Sequence, residues 1–295
     1  MGGGKWTSDS FVNYSVTTKC ASVSTDGVLN YCGTAQDLFT SKKVQSELDP
    51  YNAMRECCDS EEHPNTVSVI LGIDVTGSMG PTAVEVAKQL NVIMTKLYEK
   101  VTDVEFLIMG IGDLYCDRGP IQASQFESDI RIAEQLDKIW FEGGGGGNGY
   151  ESYTAAWYFG LKHCKLDCWN RGKKGIIITM GDEPLNPYLP AKALNRVTGD
   201  SLEGNVETSV LYEKASKKFD IYHIGVQDSR NCFSWYENEI KKSFGKYLDE
   251  DHLKEATLDN LASVITNIIE TSVEMDNDFV VNSTAGDNSS EGISW

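Results

Sequence analysis

The sequence predicts a doubly wound α/β fold: a mostly parallel sheet with helices on both faces. Three observations carry this. Short, almost unbroken apolar runs of strand length alternate with longer segments of helical period. The runs lack an in-out alternation, as expected of strands covered on both sides. The chemically distinctive residues collect just past the ends of those runs, where such sheets bind their ligands.

Residues 1–65 are rich in Ser, Thr, Asp and Asn and read as an N-terminal arm, with β-like stretches such as Phe11 to Thr18. A domain follows over 66–273. Its first strand is Val67 to Ile73, and Pro81 then opens a helix at a favoured first position. In that helix Ala83, Ala87, Leu90, Met94, Leu97 and Val101 recur every three or four residues and form one apolar stripe. Val104 to Ile111 is the second strand, and residues 128–140 form a helix turning Ile132, Leu136 and Ile139 inward. A glycine run leads into a helix from Ser152 to Cys164. Gly175 to Met180 is a strand, 206–218 a helix, Phe219 to Val226 a strand, and 258–273 a closing helix carrying Leu258, Leu261, Ile265 and Ile268. Residues 274–295 read as a disordered polar tail from composition.

The formal charge of −18 disfavours a nucleic-acid partner and suits metal cations or a basic protein. No apolar run reaches the roughly 18 residues of a membrane span, and the opening MGGGKWTSDSF has no secretory core. The eight cysteines are therefore expected as thiols in a cytoplasm, or in a virion if the chain is phage-encoded. Cys164 and Cys168 fall four apart on the expected helix, a packing pattern more than a zinc site. His63, His163, His223 and His252 show no nucleophile-base pattern.

The first strand runs into Asp74-Val75-Thr76-Gly77-Ser78. Alternate residues of an extended turn point the same way, so Asp74, Thr76 and Ser78 converge. One carboxylate and two hydroxyls are hard oxygen donors of the kind Mg²⁺ or Mn²⁺ prefers. A later strand ends in Met180-Gly181-Asp182-Glu183 and brings a second carboxylate to the same edge. Between them the Gly143–Gly147 run and Asn148 to Ser152 form a loop able to carry a further oxygen ligand across. Asp113 and Asp117 follow the second strand and read as a solvated loop or as a second cation site. Tyr115, Tyr150, Tyr153 and Tyr188 read as packing residues or as the rim of a protein-binding face.

This constellation over about residues 66–272 resembles the metal-ion-dependent adhesion site of von Willebrand factor A domains. The resemblance implies Asp-x-Ser-x-Ser as the first motif, with Thr76 here in place of its first Ser, and Asp182 as the strand-end ligand. The family's loop ligand is usually Thr; counting back from Ala155-Ala156-Trp157, its position falls on Glu151, with Asn148 and Thr154 as alternatives. It implies bound Mg²⁺, with Mn²⁺ or Ca²⁺ as alternatives, an open metal position for a carboxylate of a protein partner, and no catalysis. The Met-Gly-Gly-Gly opening, Glu62-His63-Pro64, Phe126-Glu127-Ser128 and the glycine run are similar to stand-alone A-domain proteins of bacteria and phages. Such modules also serve in assemblies with copies of themselves, as structural components of a phage assembly, or as adaptors of a AAA+ ATPase.

The rival is an enzyme. Asp74-Val75-Thr76-Gly77-Ser78 also resembles the nucleophile motif of haloacid-dehalogenase phosphotransferases, with Asp74 phosphorylated, Asp182 on Mg²⁺, and Lys173 or Lys174 steadying phosphate. Against it, the amphipathic helix follows Ser78 at once and leaves no cap, and no second aspartate follows Gly181-Asp182 at the usual spacing.

Overall fold

A computed structural model describes residues 4–101, 103–143 and 148–282, with side chains as far as Met275. Gly144 to Gly147, most of the glycine run, and the tail from residue 283 lie outside the described residues.

The arm begins with α1 (Ser8–Thr18), where a β-like stretch is expected. The Thr7 hydroxyl caps its first turn by accepting the Ser10 N–H at 3.1 Å. The helix then turns Phe11 and Ser15 inward and leaves Val12 and Val16 exposed. Tertiary contact decides the conformation: Phe11 packs on Trp6, whose indole donates to Asn91 in the following domain at 2.9 Å. The arm continues through an antiparallel pair, β1 (Ser22–Val23) and β2 (Leu29–Asn30), a single turn α2 (Ala35–Leu38), and β3 (Arg55–Cys57).

The domain runs β4 (Val67–Asp74), α3 (Gly80–Lys100), β5 (Val104–Ile111), β6 (Ile121–Ala123), α4 (Arg131–Asp137), α5 (Thr154–His163) and β7 (Cys164–Leu166). It continues with β8 (Gly175–Gly181), β9 (Tyr188–Leu189), α6 (Ala191–Thr198), β10 (Val206–Glu207), α7 (Thr208–Ala215), β11 (Phe219–Gln227), α8 (Phe233–Phe244), β12 (Leu253–Thr257) and α9 (Leu261–Asn282). The central sheet has the order β12-β11-β8-β4-β5-β6 and is parallel except for β6, which runs antiparallel to β5 at one edge. The Arg55 guanidinium donates to the carbonyl of Ala123 there and helps cover that edge.

Strand periodicity sends alternate residues into two cores. Val69, Leu71 and Ile73 of β4, with Ile176, Ile178 and Met180 of β8, pack against α3 and α9. Ile70, Ile177, Leu107 and Met109 face the other way, against α5 to α8. This is a mixed α/β architecture with helices on both faces, as expected. From β4 the chain goes to β5 on one side and later to β8 on the other. The switch in winding therefore lies at the C-terminal ends of β4 and β8.

Several boundaries differ from expectation. The α9 backbone continues through 274–282, so that part of the expected tail is helical. Leu258 precedes that helix. Cys164 opens β7 and Cys168 lies in a 3-10 turn, so they do not share a helix; both are nonetheless buried. The segments α6, α8 and β12 carry no expectation from the sequence. Their apolar residues are few, and β12 buries only Ala256.

Candidate cation site at the sheet switch point

β4 ends at Asp74, fully buried, because its neighbours β5 and β8 extend alongside it. The chain then turns: the Thr76 N–H donates to Asp74 Oδ1 at 2.8 Å, and the Thr76 hydroxyl donates to the same oxygen at 2.6 Å. Ser78, in the 3-10 turn before α3, donates from Oγ to Asp182 Oδ1 at 3.2 Å and lies 3.5 Å from the Thr76 hydroxyl. Asp182, also fully buried, follows β8 and is steadied by the backbone N–H of Cys232 at 2.7 Å from Oδ2. The structure thus brings Asp74, Thr76, Ser78 and Asp182 into one connected set. The proton of each hydroxyl goes to a carboxylate, so both hydroxyl oxygens keep lone pairs for an external cation.

A tyrosine that the sequence reads as packing or rim, and not as part of the ligand set, holds Asp74 from within the core. Tyr153 donates its hydroxyl to Asp74 Oδ2 at 2.8 Å from a fully buried position before α5. Gly181 makes that approach possible: a Cβ there would sit 1.9 Å from the tyrosine oxygen. Nothing in the spacing of the chain marks Tyr153 or the Cys232 amide; both are recruited by tertiary packing.

Glu151 is pinned by its backbone, its N–H donating to Pro184 O at 3.2 Å and its residue bridging Leu185. Its side chain is fully buried, and neither carboxylate oxygen has a hydrogen-bond partner. Thr154, the alternative loop ligand, has its hydroxyl committed as acceptor to Asn186 Nδ2 at 2.6 Å. Asn148, the other alternative, is half-buried. Among the described residues no three His, Cys, Asp or Glu side chains come together as a metal-holding group, so Glu151 does not join Asp74 and Asp182 in an all-acid cluster. The set that converges is two acids bridged by two hydroxyls, with Glu151 beside it.

Burial and the nearby Asp182 push the Asp74 carboxyl up to about 8, against the hydrogen bonds from Thr76. Burial, reinforced by Asp74, Glu183, Asp113 and Asp117, pushes Glu151 to about 11. Asp182 is raised by its burial, and Glu183 reaches about 7 through burial and the neighbouring Asp182 and Asp113. The acid-bearing turn after β5 adds Asp113, whose buried Oδ2 has no partner, and Asp117, whose Oδ2 accepts the Asp113 N–H at 2.8 Å. Among the described residues, no ion pair relieves any of these six acids. The nearest arginines in sequence are already engaged, Arg118 with Glu142 and Arg230 with Asp228. Lys173 and Lys174 precede β8 and so lie at the opposite end of that strand from Asp182; Lys174 pairs there with Asp220.

No protein-family model matches this sequence, and no curated protein matches it. In chain course it is similar to the pilus adhesin SpaC of Lactobacillus rhamnosus GG in its open conformation, at 13% identity and TM-score 0.48 over 77% of this chain and 31% of the adhesin. It is also similar to the vWF domain of the type V pili tip protein Mfa5 of Porphyromonas gingivalis, at 14% identity and TM-score 0.41 over 76% of this chain and 98% of that one. Proximal thread matrix protein 1 of the mussel byssus gives 12% identity and TM-score 0.42, covering 72% and 48%. This chain spans about a third of the SpaC adhesin, 31%. At such identities no site residue is carried over from these proteins.

Proposed function

We propose that this chain is a von Willebrand factor A-type interaction module, without catalytic activity, that holds one divalent cation at the switch point and grips a protein partner around it. The observation that carries the reading is Glu151: a fully buried carboxyl with both oxygens unpartnered, next to the Asp74–Asp182 pair. Burying an unpaired carboxylate costs on the order of several kcal/mol, so folds retain one where something compensates it. Here two protons, or one cation, are the available compensation.

The residues fit a hard cation. Thr76 and Ser78 would offer hydroxyl oxygens and Asp182 and Asp74 carboxylates, directly or through water, while Glu151, beside this set, would reach the cation through water or a shift of its side chain. Bound Mg²⁺ would supply an electrophilic, oxygen-seeking position at an otherwise acidic edge, with Mn²⁺ and Ca²⁺ as alternatives. Tyr153 and the Cys232 amide act from outside the donor set by fixing the two aspartates. The phosphotransferase alternative needs a lysine near Asp74 to steady phosphate, whereas Lys173 and Lys174 precede β8 and lie at the far end of that strand. No helix among the described residues is long and apolar enough to cross a membrane.

Thermal unfolding of the chelator-treated chain tests the reading. Adding Mg²⁺ raises the melting temperature, and the rise disappears in Ser78→Ala and Asp182→Asn. If Mg²⁺, Mn²⁺ and Ca²⁺ all leave the melting temperature unchanged, the cation site is refuted. Phosphatase turnover abolished by Asp74→Asn would refute the module.

A further inference from the structure

The segment before α5 is held at three strand ends. Glu151 bonds through its backbone to Pro184 and bridges Leu185, just beyond Asp182 at the end of β8. Ser152, also buried, accepts the Leu114 N–H at 3.1 Å from the turn after β5. Tyr153 reaches Asp74 at the end of β4. Glu151 is therefore fixed where β4, β5 and β8 end. Its carboxyl is 0% exposed and unpartnered, and the acids that bear on it are Asp74, Glu183, Asp113 and Asp117.

Access to the donor set from outside is narrow. Asp74 and Asp182 are 0% exposed and Thr76 is 4% exposed, while Ser78 is half-buried. An external carboxylate approaches past Ser78, whereas Glu151 already lies beside the set within the fold. Charge counting then limits the ligands. Asp74 and Asp182, ionised, balance one divalent cation. A third carboxylate leaves the buried site with one net negative charge and a fourth leaves two, at a growing electrostatic cost away from water. The site therefore accommodates Glu151 or a partner's carboxylate, and not both. Held at three points, Glu151 is also an intramolecular ligand. A carboxylate in solution does not match its effective concentration without further contacts.

We infer that Glu151 caps the site: with the cation bound, its side chain turns onto the ion and takes the position that a partner's carboxylate would fill, so a partner must displace it. This deepens the proposed module by naming how it is regulated, and it rests on that reading. A partner then gains entry through contacts made outside the site, and not by its carboxylate alone.

The test uses the full chain loaded with Mn²⁺ after chelator treatment. Relaxation of water protons reports the water held on the bound ion, and calorimetry counts the ions taken up. The unaltered chain is expected to ignore millimolar acetate. Glu151→Ala holds one more water on the ion, and acetate displaces that water and lowers the relaxation again. Glu151→Gln, which keeps the side chain's shape and drops its charge, responds to acetate as well, so an opened cavity does not explain the response. Equal behaviour of the unaltered chain and both variants, whether responsive or silent, overturns the inference. So does a Glu151→Ala chain that loses a second ion and leaves the first unchanged, since Glu151 then serves an ion of its own. Absence of saturable uptake of Mn²⁺, Mg²⁺ and Ca²⁺ alike by the unaltered chain overturns the module itself, and the cap with it.

Discussion

The two ends of the central sheet treat their acids in opposite ways. At the N-terminal ends of the strands, Asp59 is paired with Arg171, whose other nitrogen donates to Thr66 O at 2.6 Å. Asp220 there receives Lys174 and the Ser272 hydroxyl, and Asp103 faces His63. At the C-terminal ends, Asp74, Asp182, Glu151 and Asp113 are more deeply buried and have no basic residue paired with them among the described residues. Matched charges at a sheet end hold the fold together. Unmatched, buried carboxyls ionise only at an electrostatic cost, which a bound cation can relieve. On the proposed reading, this difference separates a structural end of the molecule from a ligand-binding working end.

That contrast can be broken by substitution. The largest effect belongs to the working end: Asp182→Asn or Asp74→Asn lowers Mg²⁺ affinity by about a hundredfold or more, measured by calorimetry, because a charged donor or its bridge to a hydroxyl is lost. Mg²⁺ affinity equal to that of the unaltered chain in both variants would place the cation elsewhere.

The next effect is a pH dependence under the site. His223 is fully buried against Phe244 and Tyr153, hydrogen-bonded to Thr179, and burial lowers it from 6.5 to about 3. Above pH 6.5 the ring is neutral folded or unfolded and contributes no pH dependence. Below that, the unfolded chain takes up the proton first, so stability falls with falling pH by about 1.4 kcal/mol per unit until about 3. His223→Gln removes this slope, as denaturant melts between neutral pH and pH 5 would record. An unchanged slope means that the imidazole is not held neutral.

At the structural end, Arg171→Ala costs about 1–3 kcal/mol of unfolding free energy, since it strips Asp59 and the Thr66 carbonyl together. Mg²⁺ affinity is unaffected. Lys174→Ala removes a more exposed pair with Asp220 and costs about 0.2–1 kcal/mol, also without effect on Mg²⁺. If either change weakened Mg²⁺ binding as strongly as Asp182→Asn, the two ends would not be separable.

Much of the framework was legible because the inner strands are buried on both faces. Val67–Asp74, Val104–Ile111, Gly175–Gly181 and Phe219–Gln227 need continuous apolar side chains, and such runs are visible without a structure. The long helix α3 declares itself by its stripe. The arm helix α1 did not, since Phe11 to Thr18 reads as strand and is decided by the Thr7 cap and the docking of Phe11 on Trp6. Edge strand β12 carries polar residues because one side has no neighbouring strand. In the site, Asp74, Thr76, Ser78 and Asp182 were readable from turn spacing and strand ends, and they converge. Tyr153 and the Cys232 amide were not, because the link from a buried hydroxyl or a backbone N–H to a distant carboxylate leaves no local pattern.

The most direct measurement is calorimetric titration of Mg²⁺ into the full chain after chelator removal, with Glu151→Gln alongside. The account predicts saturable uptake of one ion per chain, weakened about tenfold or more by Glu151→Gln. Absence of saturable binding by Mg²⁺, Mn²⁺ and Ca²⁺ alike would contradict it.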